Sequence, residues 1–167
     1  MNRKILEAAQ KEFFVAMQKG WAGGAKGTGV PGMPKYKQIE YQSGDFRIVD
    51  QYGKSQAGKS EGTTRIWFCD DPVWVMSYGG FYRKEEVPFL KWALYGCYVH
   101  SIFNGGRGPC LIPDIDHTVD KDLIYINSAN GGGSFERFRG REEIRSRRGY
   151  HNITPLGWHD YWGMALI

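Results

Sequence analysis

The side chains that could do chemistry in this chain are acidic and aromatic residues in two segments with strand-like alternation. Asp45, Asp50 and Tyr52 lie in or beside one segment, and Trp74 and Tyr78 share one face of the other. Carboxyl groups can bind or transfer protons, and Trp and Tyr can line a cavity while offering a polar group. We therefore predict a small-molecule site. Its candidate residues are Asp45, Asp50, Tyr52, Trp74, Tyr78, Glu142 and Trp162.

An enzyme of unknown reaction is the alternative use of these acidic residues. Asp45, Asp50 or Glu142 could transfer protons in a cleft if burial or a like charge shifted the pKa of one of them. The four histidines are dispersed, and no serine or cysteine lies in a nucleophile-elbow sequence. The sequence therefore identifies no catalytic residue.

Six arginines between Arg137 and Arg148 form another candidate site, interleaved with aromatic residues and two glutamates. Such a pattern is typical of polyanion-binding surfaces, with Arg137, Arg139 and Arg147 as the candidate contacts. A solvated strand face with cross-strand Arg–Glu pairs gives the same pattern. Because the net charge is only +4, we do not expect nucleic acid, and a protein partner stays open.

The segment Gly53–Ser60 matches the phosphate-binding P-loop pattern G-x-x-x-x-G-K-[ST]. A P-loop requires a helix directly after the loop, because the helix N-terminus supplies aligned N–H groups to the phosphate. The residues that follow, Glu61–Trp67, are β-branched and contain glycine, which predicts a strand. We therefore expect a solvated loop here and no nucleotide cofactor.

Asp114, Asp116 and His117 are the residues closest to a metal-binding cluster. In a strand the two carboxylates share one face and the imidazole lies on the other, so one ion could not reach all three. We expect a polar connection and no metal or other cofactor.

Composition restricts the class of protein. The hydrophobic share of 41% and the aromatic share of 15% exclude disorder, and 167 residues suit one domain, 1–167, with halves at about 1–83 and 84–167. Three cysteines without a C-x-x-C pair predict neither a disulfide framework nor a zinc site. With no long apolar segment, these features favour a cytoplasmic protein that does not contact membranes.

The elements that must position these residues are two helices and several strands. Apolar spacing predicts helices at 3–19 and 85–103, and a glycine-rich loop at 20–35. Alternation and turn residues predict strands at 37–41, 46–52, 123–126, 135–139, 142–147 and 161–167, and a hairpin at 63–82 that turns at 70–72. The predicted fold class is α+β, an antiparallel sheet with both helices packed on it.

Three short motifs recur in the second half of the sequence. Gly44-Asp45-Phe46 recurs as Gly133-Ser134-Phe135, Gly62-x-Thr64-x-Ile66 as Gly140-x-Glu142-x-Ile144, and Trp74-Val75-Met76 as Trp162-Gly163-Met164. Each set follows a predicted helix. The recurrence predicts an internal duplication of a helix-plus-strands unit.

Many of the same residues carry a family resemblance. The matching motifs are Trp21-Ala22-Gly23-Gly24, Gly44-Asp45-Phe46, Asp50-Gln51-Tyr52, the run from Pro72 to Gly80, Arg107-Gly108-Pro109 and the run from Phe135 to Ile144. In these motifs the chain resembles an uncharacterised bacterial domain family often found C-terminal to an XRE-type helix-turn-helix in predicted transcription regulators. The resemblance implies a ligand-sensing companion domain, here without the helix-turn-helix, and carries over no catalytic residues. Thr64 stands where the family tends to have glutamate.

Overall fold

The computed structural model describes residues 2–113, 123–146 and 155–167 of the chain. Within these segments it contains two helices and nine strands. The helices are α1 (Asn2–Lys19) and α2 (Val87–Val99). The strands are β1 (Thr28–Val30), β2 (Met33–Ser43), β3 (Phe46–Lys54), β4 (Lys59–Phe68), β5 (Asp71–Tyr82), β6 (Leu111–Pro113), β7 (Leu123–Ser134), β8 (Arg137–Ser146) and β9 (Gly157–Ala165).

The nine strands form a single antiparallel sheet in the order β1-β2-β3-β4-β5-β9-β8-β7-β6. The sheet divides between β5 and β9, because the five strands after α1 fill one side and the four strands after α2 fill the other. The α+β architecture predicted from the sequence is therefore confirmed. Neither helix of the described segments is long and apolar enough to cross a membrane.

Both helices cover one face of the sheet, which we call the inner face. Helix α1 buries Ala9, Phe13 and Met17, whose spacing places them on one side of the helix. Helix α2 begins with a proline in its first turn, where the ring suits the helical φ, and buries residues along its whole length. The core between helices and sheet centres on Trp74, which stacks on Phe135 with ring centres 4.6 Å apart.

No helix of the described segments covers the opposite, outer face. On β5, Trp74 and Met76 point inward and are no more than 1% exposed. On the neighbouring β9, Trp162 and Met164 point outward and are 50% and 42% exposed. The outward side chains of β9 are therefore exposed, whereas on β5 the opposite set is half-buried at Val75 and Ser77 and buried at Val73.

The hairpin that joins β4 to β5 turns at Cys69 and Asp70, earlier than the predicted 70–72. Both residues have positive φ (48° and 67°), as a type I′ two-residue turn requires. Asp71 and Pro72 already pair with β4. The prediction placed the turn too late because the Asp-Pro pair is the stronger turn pattern in the sequence.

Other boundaries also differ from the prediction. Strand β8 is continuous where the sequence predicted two strands at 135–139 and 142–147, and β9 starts at Gly157 instead of residue 161. Gly140 does not interrupt β8 because the side chain of Tyr161 lies over it. The short edge strands β1 and β6 were not predicted, and α2 ends before the predicted residue 103.

The internal duplication remains a prediction. Gly62 and Gly140 lie at equivalent places, each paired with a tyrosine of the next strand in the sheet, Tyr78 or Tyr161. The third motif match behaves differently, because Trp74 is buried in the core and the matched Trp162 lies on the outer face.

Candidate functional site

A cavity of about 200 Å³ lies between the inner face of the sheet and the two helices. Its helix side is apolar, with Met17 from α1 and Leu90 and Leu94 from α2. Its sheet side is polar and draws on β3, β4, β5 and β9 together with the segment after α2. The polar residues on this side are Asp50, Tyr52, Lys54, Ser60, Glu61, Thr64, Tyr78, Tyr82, Arg107 and His159.

Asp50 is held on the floor of the cavity by two hydroxyl groups. Thr64 lies opposite Asp50 on β4, and its Oγ1 donates to Asp50 Oδ1 at 2.9 Å. The Tyr78 hydroxyl donates to the same oxygen at 3.1 Å. Burial raises the pKa of Asp50, and these hydrogen bonds and the charge of Arg107 only partly offset it. Asp50 forms no ion pair with another described residue.

Arg107 enters the site through a tight turn after α2. Gly105 and Gly106 have φ of 65° and 69°, a conformation that glycine adopts without steric cost. A side chain at Gly105 would also place its Cβ 2.5 Å from the ring of Tyr161. The turn directs Arg107 inward, where it is 5% exposed and its guanidinium carbon lies 5.0 Å from the ring centre of Tyr78. Arginine is a common cation over aromatic rings.

Glu142 neutralises Arg107 from β8. Its side chain is fully buried, and its Oε1 accepts a hydrogen bond from Arg107 Nη2. The Tyr125 hydroxyl donates to the other carboxylate oxygen. Burial opposes ionisation of Glu142, but the charge of Arg107 and hydrogen bonds from His159 and Arg107 outweigh it and lower the pKa to about 2. Glu142 is therefore a carboxylate at neutral pH.

His159 links this ion pair to Ser60. Its Nδ1 lies 3.3 Å from Glu142 Oε1, and its Nε2 lies 3.0 Å from Ser60 Oγ. Ser60, Gly80 and His159 are paired in register across β4, β5 and β9, so the two side chains meet over a glycine. Burial lowers the pKa of His159, although the hydrogen bond and charge of Glu142 oppose the shift. At neutral pH the imidazole is therefore uncharged.

Two buried polar groups at the cavity have no hydrogen-bond partner among the described residues. They are Arg107 Nε and the hydroxyl of Tyr82. Burial raises the pKa of Tyr82, and the charge of the nearby Glu142 raises it further. Buried polar groups are almost always satisfied in folded proteins, so these two indicate a position for ligand atoms.

Three of the seven predicted ligand-binding residues line the cavity, namely Asp50, Tyr52 and Tyr78. Glu142 lies behind Arg107 and shapes the cavity through it. The sequence predicted that Asp50, Tyr52, Tyr78 and Glu142 lie in one site, and each of these side chains points to the inner face of its strand.

The other three predicted residues lie elsewhere. Asp45 is exposed at the turn between β2 and β3. Trp74 is in the core, where its indole nitrogen donates to the backbone oxygen of Phe135 at 2.9 Å. Trp162 lies on the outer face. The alternation of β9 alone does not say which set of its side chains points inward.

Sequence reasoning did not place Ser60, Arg107 or His159 in the small-molecule site. Ser60 and His159 are 99 positions apart, and Arg107 and His159 are 52 apart, so no local spacing relates them. Ser60 was noted only as the last residue of the P-loop pattern, which was set aside. Arg107 was noted only as part of a family motif.

The Gly53–Ser60 segment is the end of β3, a turn and the start of β4. Ser55 N donates to Lys59 O, and Gly58 has a φ of 84°. A strand follows the turn, so the helix N-terminus that a P-loop needs is not at this position.

The arginine-rich segment is part of β8 and its continuation. Arg137 and Arg139 are exposed on the outer face, paired in register with Met164 and Trp162. The third predicted contact, Arg147, lies outside the described residues, as do Asp114, Asp116 and His117. Among the residues that are described, no group of three His, Cys, Asp or Glu side chains is arranged to hold a metal ion.

Comparisons of this chain with family models, with curated proteins and with solved structures gave no match.

Proposed function

We propose that the chain is a sensor-like domain that binds a small molecule in the cavity between sheet and helices, related to the companion domains of bacterial transcription regulators. The observation that carries the proposal is the pairing of a preformed cavity with buried polar groups that lack partners among the described residues, Arg107 Nε and the Tyr82 hydroxyl. A mainly apolar pocket with a few convergent polar groups is the usual form of a small-molecule site.

The cavity restricts the size of the ligand. A dry cavity of about 150 Å³ holds a benzene molecule, so a cavity of about 200 Å³ suits roughly eight non-hydrogen atoms. A larger molecule would have to extend out of the cavity, which borders a more open groove at Ser60. The part of the ligand inside the cavity is therefore small.

The charges restrict its chemistry. Arg107 is already paired with Glu142, whereas Asp50 meets only hydroxyl groups and has no cationic partner in hydrogen-bond contact among the described residues. A ligand with a hydrogen-bond donor or an amine would satisfy Asp50, and an acceptor would satisfy Arg107 Nε. Its apolar part would contact Leu90 and Leu94 of α2.

A ligand in this position would touch both helices as well as the sheet, because Met17 belongs to α1 and Leu90 to α2. A ligand in the cavity would stabilise the packing of both helices on the sheet. This stabilisation could transmit ligand binding to a partner domain. The three free cysteines, Cys69, Cys97 and Cys110, agree with the cytoplasmic setting that we also propose.

A thermal-shift screen of molecules with about eight non-hydrogen atoms tests the proposal. At 100 times its dissociation constant a ligand should stabilise the fold by about 2.7 kcal/mol. Asp50→Asn should weaken binding of an amine about 10- to 100-fold, because a hydrogen bond to a charged group contributes about 1.5–3 kcal/mol. Asp45→Asn, at the exposed turn between β2 and β3, is the matched control. No stabilising compound, or equal effects of the two variants, would contradict the proposal.

A second candidate function is binding of a polyanion on the outer face. Arg139 pairs in register with Trp162 and Arg137 with Met164, so two cations lie beside two exposed apolar side chains. A tryptophan that is 50% exposed can stack on a nucleobase. This surface is separate from the cavity, and both functions could exist in one chain.

A further inference from the structure

Three side chains from three strands meet at one end of the cavity. Ser60 Oγ lies 3.0 Å from His159 Nε2, and Glu142 Oε1 lies 3.3 Å from His159 Nδ1. A hydroxyl, an imidazole and a buried carboxylate in this order are the parts of a nucleophilic triad. Such triads are recognised by geometry, since they recur on unrelated folds in different chain orders.

We propose that Ser60 is a nucleophile, with His159 as its base and Glu142 as the residue that orients the base, and that it hydrolyses small acyl esters. The proposal rests on the proposed function in one respect, since the cavity is also where the acyl group would bind.

The protonation states suit this chemistry. Burial lowers the pKa of His159, so its Nε2 can accept the proton of Ser60 at neutral pH. Glu142 is ionised and can accept a hydrogen bond from Nδ1–H when His159 carries its proton on Nδ1. Arg107 Nη2 lies 3.4 Å from Nδ1 and can donate to it in the other tautomer, so the triad requires the tautomer with the proton on Nδ1. The groups that surround the imidazole are Ser60, Tyr78, Tyr82, Arg107, Glu142 and the neighbouring Asp160.

Ser60 is accessible to a substrate. Its side chain is half-buried and borders both the cavity and a more open groove of about 490 Å³. An acyl group could therefore occupy the cavity while the alcohol part of the ester stays in the groove. Arg107 Nε and the Tyr82 hydroxyl line the same cavity and, within the described part of the chain, are unpartnered donors available for the developing oxyanion.

The reaction proceeds in two steps. Ser60 Oγ bonds to the carbonyl carbon of the ester while its proton moves to His159 Nε2. The bond to the alcohol oxygen then breaks, and the alcohol leaves with that proton. In the second step a water molecule gives a proton to His159 and attacks the acyl-serine, which releases the carboxylic acid and restores the Ser60 hydroxyl.

Incubation with p-nitrophenyl acetate tests this proposal. We expect a burst of p-nitrophenol and an acetyl group on the peptide that contains Ser60, located by mass spectrometry. Ser60→Ala should abolish both, Ser60→Cys should retain acylation, and Ser128→Ala, at an exposed position of β7, should have no effect. His159→Gln should slow acylation about 10²- to 10⁴-fold. In the unmodified chain the rate should fall as pH decreases and His159 becomes protonated.

Acetylation at other residues, or a burst that survives in Ser60→Ala with its circular dichroism spectrum unchanged, would overturn the triad. Ligand binding in the thermal-shift screen without acylation of Ser60 would overturn the triad alone. Acylation of Ser60 while no small molecule stabilises the fold would uphold the triad and contradict the sensor proposal.

Discussion

A carboxylate that is removed from water is tolerated only where other groups replace its hydration. Glu142 is fully buried, and three groups take the place of water around its carboxylate. They are the guanidinium of Arg107, the hydroxyl of Tyr125 and the imidazole of His159. Breaking such a buried pair by removing one partner typically costs about 3–5 kcal/mol, since the remaining charge is left without compensation. The pair therefore holds the segment after α2 against β8.

The pKa of Glu142 makes stability depend on pH in a defined direction. The folded pKa of about 2 lies below the ordinary value of 4.5, so the unfolded chain binds the proton more readily. The stabilisation, on the order of 3 kcal/mol, is present above about pH 4.5 and is lost as the pH falls towards 2. Urea denaturation at a series of pH values should show this loss.

Two variants isolate the contribution of Glu142. Glu142→Gln should have lower stability at pH 7 and a weaker pH dependence below pH 5. Glu143→Gln, whose side chain faces the other side of β8, should keep the loss of stability that the unmodified chain shows. The lowered pKa of His159 also makes the fold less stable as the pH falls, from about pH 6.5 downward. The raised pKa of Asp50 has the opposite effect on stability. An unchanged curve in Glu142→Gln would contradict this account.

At the scale of the elements, the central strands meet through pairs of a glycine and an aromatic residue. Gly62 pairs with Tyr78, Gly140 with Tyr161 and Gly163 with Phe138, and each ring covers the glycine opposite it. The tyrosine hydroxyls thereby reach the next strand. Tyr78 donates to Asp50, and the Tyr161 hydroxyl donates to Asn127 Oδ1 at 2.6 Å.

Gly140→Ala should disrupt this arrangement. The added Cβ would lie 2.3 Å from the Tyr161 hydroxyl and 2.5 Å from the backbone oxygen of Ser128, so the strands would have to shift. We expect a decrease of about 1–3 kcal/mol in the free energy of unfolding. Gly96→Ala, on the exposed side of α2 with no atom within 4 Å, should instead stabilise by about 0.5–1 kcal/mol. Equal effects of the two substitutions in chemical denaturation would contradict the steric explanation.

The two faces of the sheet differ at the scale of the whole molecule. The inner face carries the cavity under the helices, and the outer face carries Arg137, Arg139 and Trp162, with no helix of the described segments over them. The net charge of +4 is modest, so any binding of a polyanion must come from this local arrangement.

Titration of a labelled single-stranded DNA oligonucleotide by fluorescence anisotropy tests the outer face. The Arg137→Ala/Arg139→Ala variant should bind more weakly, and the dependence of log affinity on log salt should decrease by about 0.7 for each phosphate that the variant no longer neutralises. The control is Arg3→Ala/Lys4→Ala, which removes the same charge from the exposed start of α1. Equal binding by both variants and the unmodified chain would exclude this function for the described part of β8.

Much of the fold could be predicted from the sequence because its elements follow from local patterns. The apolar spacing around Phe13 defines α1, and the alternation of Trp74, Met76 and Tyr78 defines the inward side of β5. The same alternation placed Asp50 and Tyr78 on the side that lines the cavity. Each of these features depends on residues only a few positions apart.

Only the tertiary structure decided which face of β9 is buried and which residues form the site. Both faces of β9 carry aromatic side chains, so only its position between β5 and β8 turns Tyr161 inward and Trp162 outward. Ser60, Arg107 and His159 meet because strand order and a two-glycine turn bring distant segments together. The sequence by itself determined the local elements, because periodicity is a local property. The site is non-local, since it depends on how those elements pair and pack.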